Sequence, residues 1–162
     1  RTPLNLASGS FSGDVVQTLI LNEADVNARD RNDSTPLHLA LAMSSNSDVR
    51  TLIQNGADIK LSTHGMGATR RPSILALEES NGDCMQILIQ NGADINARGW
   101  NDKTLLHLAS EASNGDVVQI LIRVGADVDA VDSNGQTPYQ CVMSERYYDM
   151  AQSLFDHRTS VE

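Results

Sequence analysis

Apolar residues return along the chain in short segments at a nearly constant interval. Each segment opens with Thr or Arg, and there are five: Thr2–Ala7, Thr35–Ala40, Arg71–Ala76, Thr104–Ala109 and Thr137–Val142. Their first residues lie 33, 36, 33 and 33 positions apart. A period near 33 predicts a stack of small supersecondary units rather than one globular core, so we expect function to reside on a surface.

Each unit is predicted to contain two helices. The first begins at Thr-Pro, because the Thr hydroxyl can accept from free amides and Pro lacks a donor that would go unused there. The second carries apolar residues four positions apart, as at Val15, Val16, Leu19 and Ile20 and again at Val117, Val118, Leu121 and Ile122. Gly56, Gly92 and Gly125 follow these helices, where a left-handed residue commonly ends a helix.

A second phrase begins 20 residues after the opening Thr or Arg of each complete unit: Asn22–Asn27, Asn55–Ile59, Asn91–Asn96 and Val124–Asp129. Because these two segments recur at a fixed separation, the chain closely resembles the ankyrin repeat family over essentially its whole length. The resemblance implies an all-α repeat solenoid of five stacked repeats, each a helix-turn-helix pair followed by a β-hairpin finger. The repeats are 2–34, 35–70, 71–103, 104–136 and 137–162, with the last as a C-terminal cap, and we expect 1–162 to form a single domain.

Composition narrows the functions to consider. The net charge of the 162 residues is −9, which argues against general DNA or RNA binding, since phosphate contacts need clustered Lys and Arg. No run of about 18 apolar residues occurs, so membrane insertion is not expected. Cys84 and Cys141 fit as small core residues, and reduced thiols suit an intracellular location, cytoplasmic or nuclear. Because the chain opens with Arg inside a repeat, we expect it to be part of a longer protein.

The histidines do not point to catalysis. His38 and His107 each lie three residues after an opening Thr, and the resemblance implies that they tie neighbouring loops together through Thr and backbone groups. Neither has a partner at metal-ligand spacing. With no phosphate-binding loop, nucleophile elbow or helical metal motif in the sequence, we expect neither an enzyme nor a cofactor.

Positive charge is concentrated in the segments that the resemblance identifies as fingers. The basic residues there are Arg29, Arg31, Lys60, Arg70, Arg71, Arg98 and Lys103. Trp100, the only tryptophan, lies near a finger tip at a register shared with Arg31 and Ser133. Exposed Trp and Arg often dominate binding energy, although Trp100 packing on a neighbouring finger is the alternative. Arg71 replaces the usual Thr, so pairing with a neighbouring repeat is an alternative for it.

These features predict a scaffold that binds another protein through the concave face of fingers and first helices. The expected partner carries Asp or Glu beside an apolar side chain. The alternative is a regulatory or substrate-adaptor module of a larger protein, such as a channel, a ubiquitin-ligase adaptor or a pathogen effector. Partner identity and oligomeric state stay open at this point.

Three local features complete the expectations. Asn27 and Asn96 match the arrangement that, by resemblance, an asparaginyl hydroxylase modifies, with Leu eight residues before; a purely structural role is the alternative. The three extra residues of the 36-residue interval fall between Gly56 and Arg71. Asp48 occupies the register of Val15 and Val117, so either its helix turns outward or the second repeat is a weak point in the stack.

Overall fold

The computed structural model describes residues 1–10, 12–59, 82–112 and 114–145, and within these ranges the regular structure is helical without a β-strand. Several sequence-based expectations lie outside the described residues: Lys60, Arg70, Arg71, the extra residues of the long interval, and the cap from Arg146 onward. The chain packs as two compact units, Arg1–Ala93 and Asp94–Glu162.

The first unit contains helices in two rows. Its described helices are α1 (Pro3–Ser8), α2 (Gly13–Leu21), α3 (Pro36–Ala42), α4 (Asn46–Gln54) and α5 (Gly82–Gln90). Along the chain α1 packs on α2 and α3 on α4, while α1 also contacts α3, and α4 contacts both α2 and α5. First helices therefore stack on first helices and second helices on second helices, as a helical repeat array requires.

The second unit repeats this pattern. A short 3-10 turn at Trp100–Asp102 precedes α6 (Leu105–Glu111) and α7 (Gly115–Arg123), and α8 (Pro138–Glu145) follows. Helix α6 packs against both α7 and α8, so the first helix of one repeat again lies on the first helix of the next.

The Thr-Pro prediction for helix starts is confirmed. Thr2 and Thr35, each followed by Pro, are N-caps with extended backbone, and Thr104 is one too although Leu105 follows it. The Oγ1 atoms of Thr2 and Thr104 accept from the backbone amides three residues on, at 3.2 and 3.4 Å. These contacts satisfy donors that helix geometry leaves free at an N-terminus.

The structural role expected for the histidines is confirmed in full for His107, and for His38 in its contact with Thr35. The amides of Thr35 and Thr104 donate to Nδ1 of His38 and His107, each at 3.2 Å. Since Nδ1 accepts, the proton of the neutral ring of His107 lies on Nε2, which donates to the Gln136 carbonyl at 2.9 Å. His107 thereby joins the start of its own helix to the loop before the next one.

The apolar stripe of α7 is buried in the core, whereas in α2 only Val16 of the stripe is buried. Val117, Val118 and Leu121 are fully buried, and Val16 is buried in the same way. Val15, however, is 49% exposed although it shares the register of Val117. Helix α2 packs on α1 and α4, and neither contact covers Val15.

An outward turn of the Asp48 helix, one of the two interpretations above, is wrong. Asp48 lies in the first turn of α4 and is only 1% exposed. It faces the start of α2, where a Cβ added to Gly13 would lie 3.1 Å from Asp48 Oδ1. Asp48 Oδ2 has no hydrogen-bond partner among the described residues. The α2–α4 contact thus encloses a carboxylate whose hydrogen-bonding capacity is incompletely used.

The corresponding contact between α4 and α5 is satisfied differently. Cys84 holds the register of Asp48, and its Sγ donates to Asn46 Oδ1 at 2.8 Å. Asn46 in turn stands at the register of Gly13, and its Nδ2 donates to Asp83 at 3.2 Å. Polar side chains of α4 and α5 therefore hydrogen-bond to each other across this contact. At the α2–α4 contact Gly13 has no side chain with which Asp48 could form such a bond.

The helix ends predicted at glycine are confirmed. Gly56, Gly92 and Gly125 have φ values of 90°, 88° and 89°, the left-handed region that glycine adopts with little strain. In the first repeat Glu23 holds the same register with φ 62°, so the backbone shape is kept there without the favoured residue.

Candidate functional site

The finger segments named in the sequence have a common entry turn. We call residues 27–34 finger 1, 96–103 finger 3 and 129–136 finger 4. Just before each, an Asp Oδ1 accepts the backbone amide two residues on: Asp25 from Asn27, Asp94 from Asn96 and Asp127 from Asp129, at 2.9, 3.0 and 3.0 Å. These carboxylates therefore organise the turn into each finger.

Asn27 and Asn96 connect successive repeats. Asn27 Oδ1 accepts the Asp58 amide at 2.8 Å, and its Nδ2 donates to the Gly56 carbonyl at 3.1 Å. Asn96 Oδ1 accepts the Asp127 amide at 2.9 Å. Both side chains are exposed and both have an architectural role; their hydroxylation stays a prediction.

Fingers 1 and 4 are closed by a carboxylate. Asp30 Oδ1 accepts the amides of Asn32 and Ser34 at 2.8 and 3.1 Å. Asp132 Oδ1 accepts those of Asn134 and Gln136 at 2.8 and 2.9 Å. In each finger the Asp amide also donates to the carbonyl of the residue four positions later, so one side chain fixes the whole tip.

Both carboxyl groups therefore titrate lower than usual. Burial alone would raise the pKa of Asp30, but the amides of Ser34 and Asn32 and the Arg1 guanidinium outweigh it and lower that pKa. For Asp132 the Gln136 amide is the main cause of a lowered pKa, with burial opposing it and the Asn134 amide adding to it. Both groups are ionised in the folded state near neutral pH.

Finger 3 has no such carboxylate, because Gly99 stands at the register of Asp30 and Asp132. Its tip instead contains two consecutive left-handed residues that are not glycine, Asn101 with φ 57° and Asp102 with φ 55°. The Gly99 amide donates to the Lys103 carbonyl at 2.8 Å, which keeps the closure seen in the other two fingers.

The predicted basic residues differ in how far other groups engage them. Arg29 Nη1 pairs with Asp33 at 2.5 Å within finger 1. Lys103 forms an ion pair with Glu111 of α6, and its side chain is 18% exposed. The hydrogen bond to Glu111 raises the pKa of Lys103 against the opposing effect of burial. Arg31 is exposed and belongs to no ion pair recorded among the described residues.

Arg98 reaches into the next finger. Its Nη1 donates to the Val131 carbonyl of finger 4 at 2.7 Å and to the Asp102 carbonyl of its own finger at 3.2 Å. Ser133 of finger 4 donates back to finger 3. Its amide donates to Asn101 O at 2.9 Å, and its hydroxyl donates to Asp102 Oδ2 at 3.2 Å. The structure therefore brings Arg98 and Lys103 into one unit and gives each an internal contact.

Sequence reasoning missed the part that Ser133, Asn101 and Val131 have in this arrangement. The available signal was Gly99, which replaces the Asp found at the same register in fingers 1 and 4. Asn5 was missed too. It takes the register of His38 and His107, and its Nδ2 donates to the carbonyls of Ala28 and Ser34, each at 3.3 Å.

Other site types have little support in the described ranges. No three His, Cys, Asp or Glu side chains there are grouped to hold a metal ion. The thiols of Cys84 and Cys141 are buried and form no disulfide. Burial raises the pKa of Cys84 to about 11, so that thiol is protonated at neutral pH and unsuited to nucleophilic chemistry. Of the helices described, none has the length and apolar character to cross a bilayer.

Comparison with known proteins assigns the repeat pattern. The family model for ankyrin repeats, which represents three copies of the repeat, matches residues 1–63 and 73–162. The chain has no match among the curated proteins with which it was compared.

Proposed function

Because this chain belongs to the ankyrin repeat family, whose repeats generally mediate protein–protein interaction, we propose that it is a protein-binding scaffold whose partner docks on the fingers and first helices. The proposal takes residues 1–162 as one domain of five repeats with hairpin fingers. Its contact residues are the finger side chains that the architecture leaves exposed. One of these is Arg31; Trp100, which takes the same register in finger 3, is included as a contact residue on the sequence argument.

The proposal rests on a difference between recurring and variable positions within the fingers. Residues that recur from repeat to repeat form hydrogen bonds to the backbone through their side chains, as Asn27, Asn96, Asp30 and Asp132 do. The following tip position differs in every finger described: it is Arg31, Trp100 or Ser133, and of these Ser133 bonds to finger 3. Positions that vary on a fixed frame are suited to recognising one particular partner.

The proposed partner segment carries Asp or Glu beside a large apolar residue. Arg31 supplies an exposed cation, and Lys60, Arg70 and Arg71 join the patch on the sequence argument alone. Arg29 and Lys103 already have acidic partners, so their contribution to encounter is smaller than formal charge implies. Trp100 supplies the apolar area, since aromatic anchors dominate many interfaces.

Selection from a displayed library of random peptides on the immobilised full chain tests this proposal. We expect the recovered peptides to carry Asp or Glu next to an apolar residue. Replacing Trp100 by Ala should weaken their binding by about 2 kcal/mol, roughly thirtyfold in Kd, measured by isothermal titration calorimetry.

Leu21 provides the matched control. It is a large apolar side chain, 73% exposed, at the end of α2 and outside the fingers. Leu21→Ala should leave the Kd of the selected peptides unchanged within about twofold. Peptides that bind Trp100→Ala as tightly as the original chain would show that the partner surface lies elsewhere.

A further inference from the structure

Fingers 3 and 4 are bonded to each other at their tips. Three hydrogen bonds cross between them: Arg98 Nη1 to Val131 O, the Ser133 amide to Asn101 O, and the Ser133 hydroxyl to Asp102 Oδ2. Their lengths are 2.7, 2.9 and 3.2 Å. The partners are 33, 32 and 31 residues apart in sequence, which is one repeat period.

Finger 3 keeps the backbone closure between Gly99 and Lys103 but lacks the carboxylate that supports fingers 1 and 4 from within. An Asp carboxylate holds two amides in each of those fingers, and each has one left-handed residue at the tip, Asp33 or Gly135. Gly99 offers no carboxylate, and the finger 3 tip holds Asn101 and Asp102 in succession with positive φ. Such conformations persist where surrounding contacts over-determine them.

We infer that finger 4 acts as a template for finger 3: Arg98 and Ser133 are positioning residues that hold the Trp100–Asp102 tip in its binding conformation. The inference rests on the proposed function and deepens it, since it separates residues that touch the partner from residues that shape the surface. It also gives Arg98 a different role from the contact role expected from sequence.

The physical benefit is a lower ordering cost on binding. A loop that is already fixed does not lose conformational entropy when a partner docks, so more of the contact energy appears as affinity. Arg98 serves this purpose through its guanidinium, which reaches the Val131 and Asp102 carbonyls with one nitrogen. Ser133 serves it from the facing tip, where its amide and its hydroxyl both donate to finger 3.

Trp100 allows a direct test on the full chain without a partner, because it is the only tryptophan and lies in the segment concerned. Time-resolved fluorescence anisotropy reports its motion on the nanosecond scale. In Arg98→Met, Ser133→Ala and the double variant, we expect the amplitude of fast local depolarisation to rise, by about twofold in the double variant. Unchanged anisotropy in the double variant overturns the inference.

Arg29→Met is the matched control, since Arg29 has the register of Arg98 but pairs with Asp33 inside finger 1. It should leave the anisotropy of Trp100 unchanged; an equal increase in this control would mean that the effect is not specific to the finger pair. Circular dichroism of each variant establishes that the helices are retained. Ser133→Ala removes only a hydroxyl from an exposed residue, so at least this variant should keep the fold.

A binding measurement separates this inference from the proposed function. The peptides selected on the original chain should bind the double variant about threefold to tenfold more weakly. Equal affinity would refute the positioning role even if Trp100 became more mobile. Conversely, selected peptides that ignore Trp100→Ala refute the proposed function, while an increase in anisotropy would still support the template.

Discussion

Asp48 is the residue where chemical type and environment conflict most clearly. Its carboxylate lies near the start of α4, where negative charge contributes about 0.3–1 kcal/mol through the amide dipoles. Against this stands a buried oxygen without a hydrogen-bond partner among the described residues, a situation that typically costs about 1–3 kcal/mol. The second effect is larger, so we expect Asp48 to destabilise the contact of α4 with α2; that the second repeat is a weak point in the stack stays a prediction.

Replacing Asp48 by Val should therefore stabilise the protein. Val has a similar volume and occurs at this register as Val15 and Val117, and we expect the free energy of unfolding to rise by about 1–2 kcal/mol. Urea denaturation followed by circular dichroism measures the change. Asp14→Val is the control, because Asp14 is exposed in the first turn of α2; it should lose about 0.5 kcal/mol. Destabilisation by Asp48→Val would mean that the carboxylate is satisfied in solution.

The ends of the second helices show how one side chain completes an element. Asn22, Asn55 and Asn91 each donate through Nδ2 to the carbonyl four residues earlier, at 2.8, 2.7 and 2.7 Å. Each of these carbonyls also accepts the backbone amide of the same Asn at 3.2 Å, so the side chain adds a second hydrogen bond to an oxygen that has two lone pairs. Val124 takes the same position after α7 and is 43% exposed, which leaves that helix without an equivalent contact.

Val124→Asn should restore the missing contact. We expect a gain of about 0.5–1 kcal/mol in the free energy of unfolding, measured by urea denaturation. The reverse change, Asn91→Val, should cost a similar amount because α5 then loses its bond to the Ile87 carbonyl. If the two substitutions do not change stability in opposite directions, the backbone amides that already bond to these carbonyls satisfy them without the Asn side chain.

The ends of the helices could be predicted from the sequence, whereas the contacts between fingers could not. Thr-Pro and the glycines fixed helix starts and ends, because capping and left-handed geometry depend on residues only a few positions apart. The finger 3 tip could not be predicted in the same way. At this tip the Asn101 carbonyl accepts the Ser133 amide and Arg98 donates to the Val131 carbonyl, so both bonds join residues about one repeat apart. A sequence pattern within one segment contains no information on such bonds.

For the molecule as a whole, formal charge was an incomplete guide to the candidate site. Counting Lys and Arg in the sequence identified the fingers as basic, but it could not show that Glu111 neutralises Lys103 or that Arg98 is directed to backbone carbonyls. Pairing depends on distances of a few ångströms, which the repeat register does not fix. The register did locate Arg31 and Trp100 at equivalent tip positions.

Stability of the whole molecule should depend on pH through the finger carboxylates. The folded pKa values of Asp30 and Asp132 are lowered from 3.8, so the folded state binds protons less readily than the unfolded chain. The stability they contribute is present above pH 3.8 and is lost as pH falls through the lower folded values. We expect the melting temperature, followed by circular dichroism, to decline on acidification below about pH 4.

Neutral variants test the cause of that decline. In the double variant Asp30→Asn and Asp132→Asn, the melting temperature at neutral pH should be lower, because a neutral amide oxygen is a weaker acceptor for the four loop amides than a carboxylate. Its further decline in acid should be shallower, since the two titrating groups are gone. Asp33→Asn is the control: Asp33 is half exposed in its pair with Arg29, and its loss should leave the acid decline intact. An equally steep decline in the double variant would mean that protonation of Asp30 and Asp132 is not the cause. The acid sensitivity would then belong to other carboxylates.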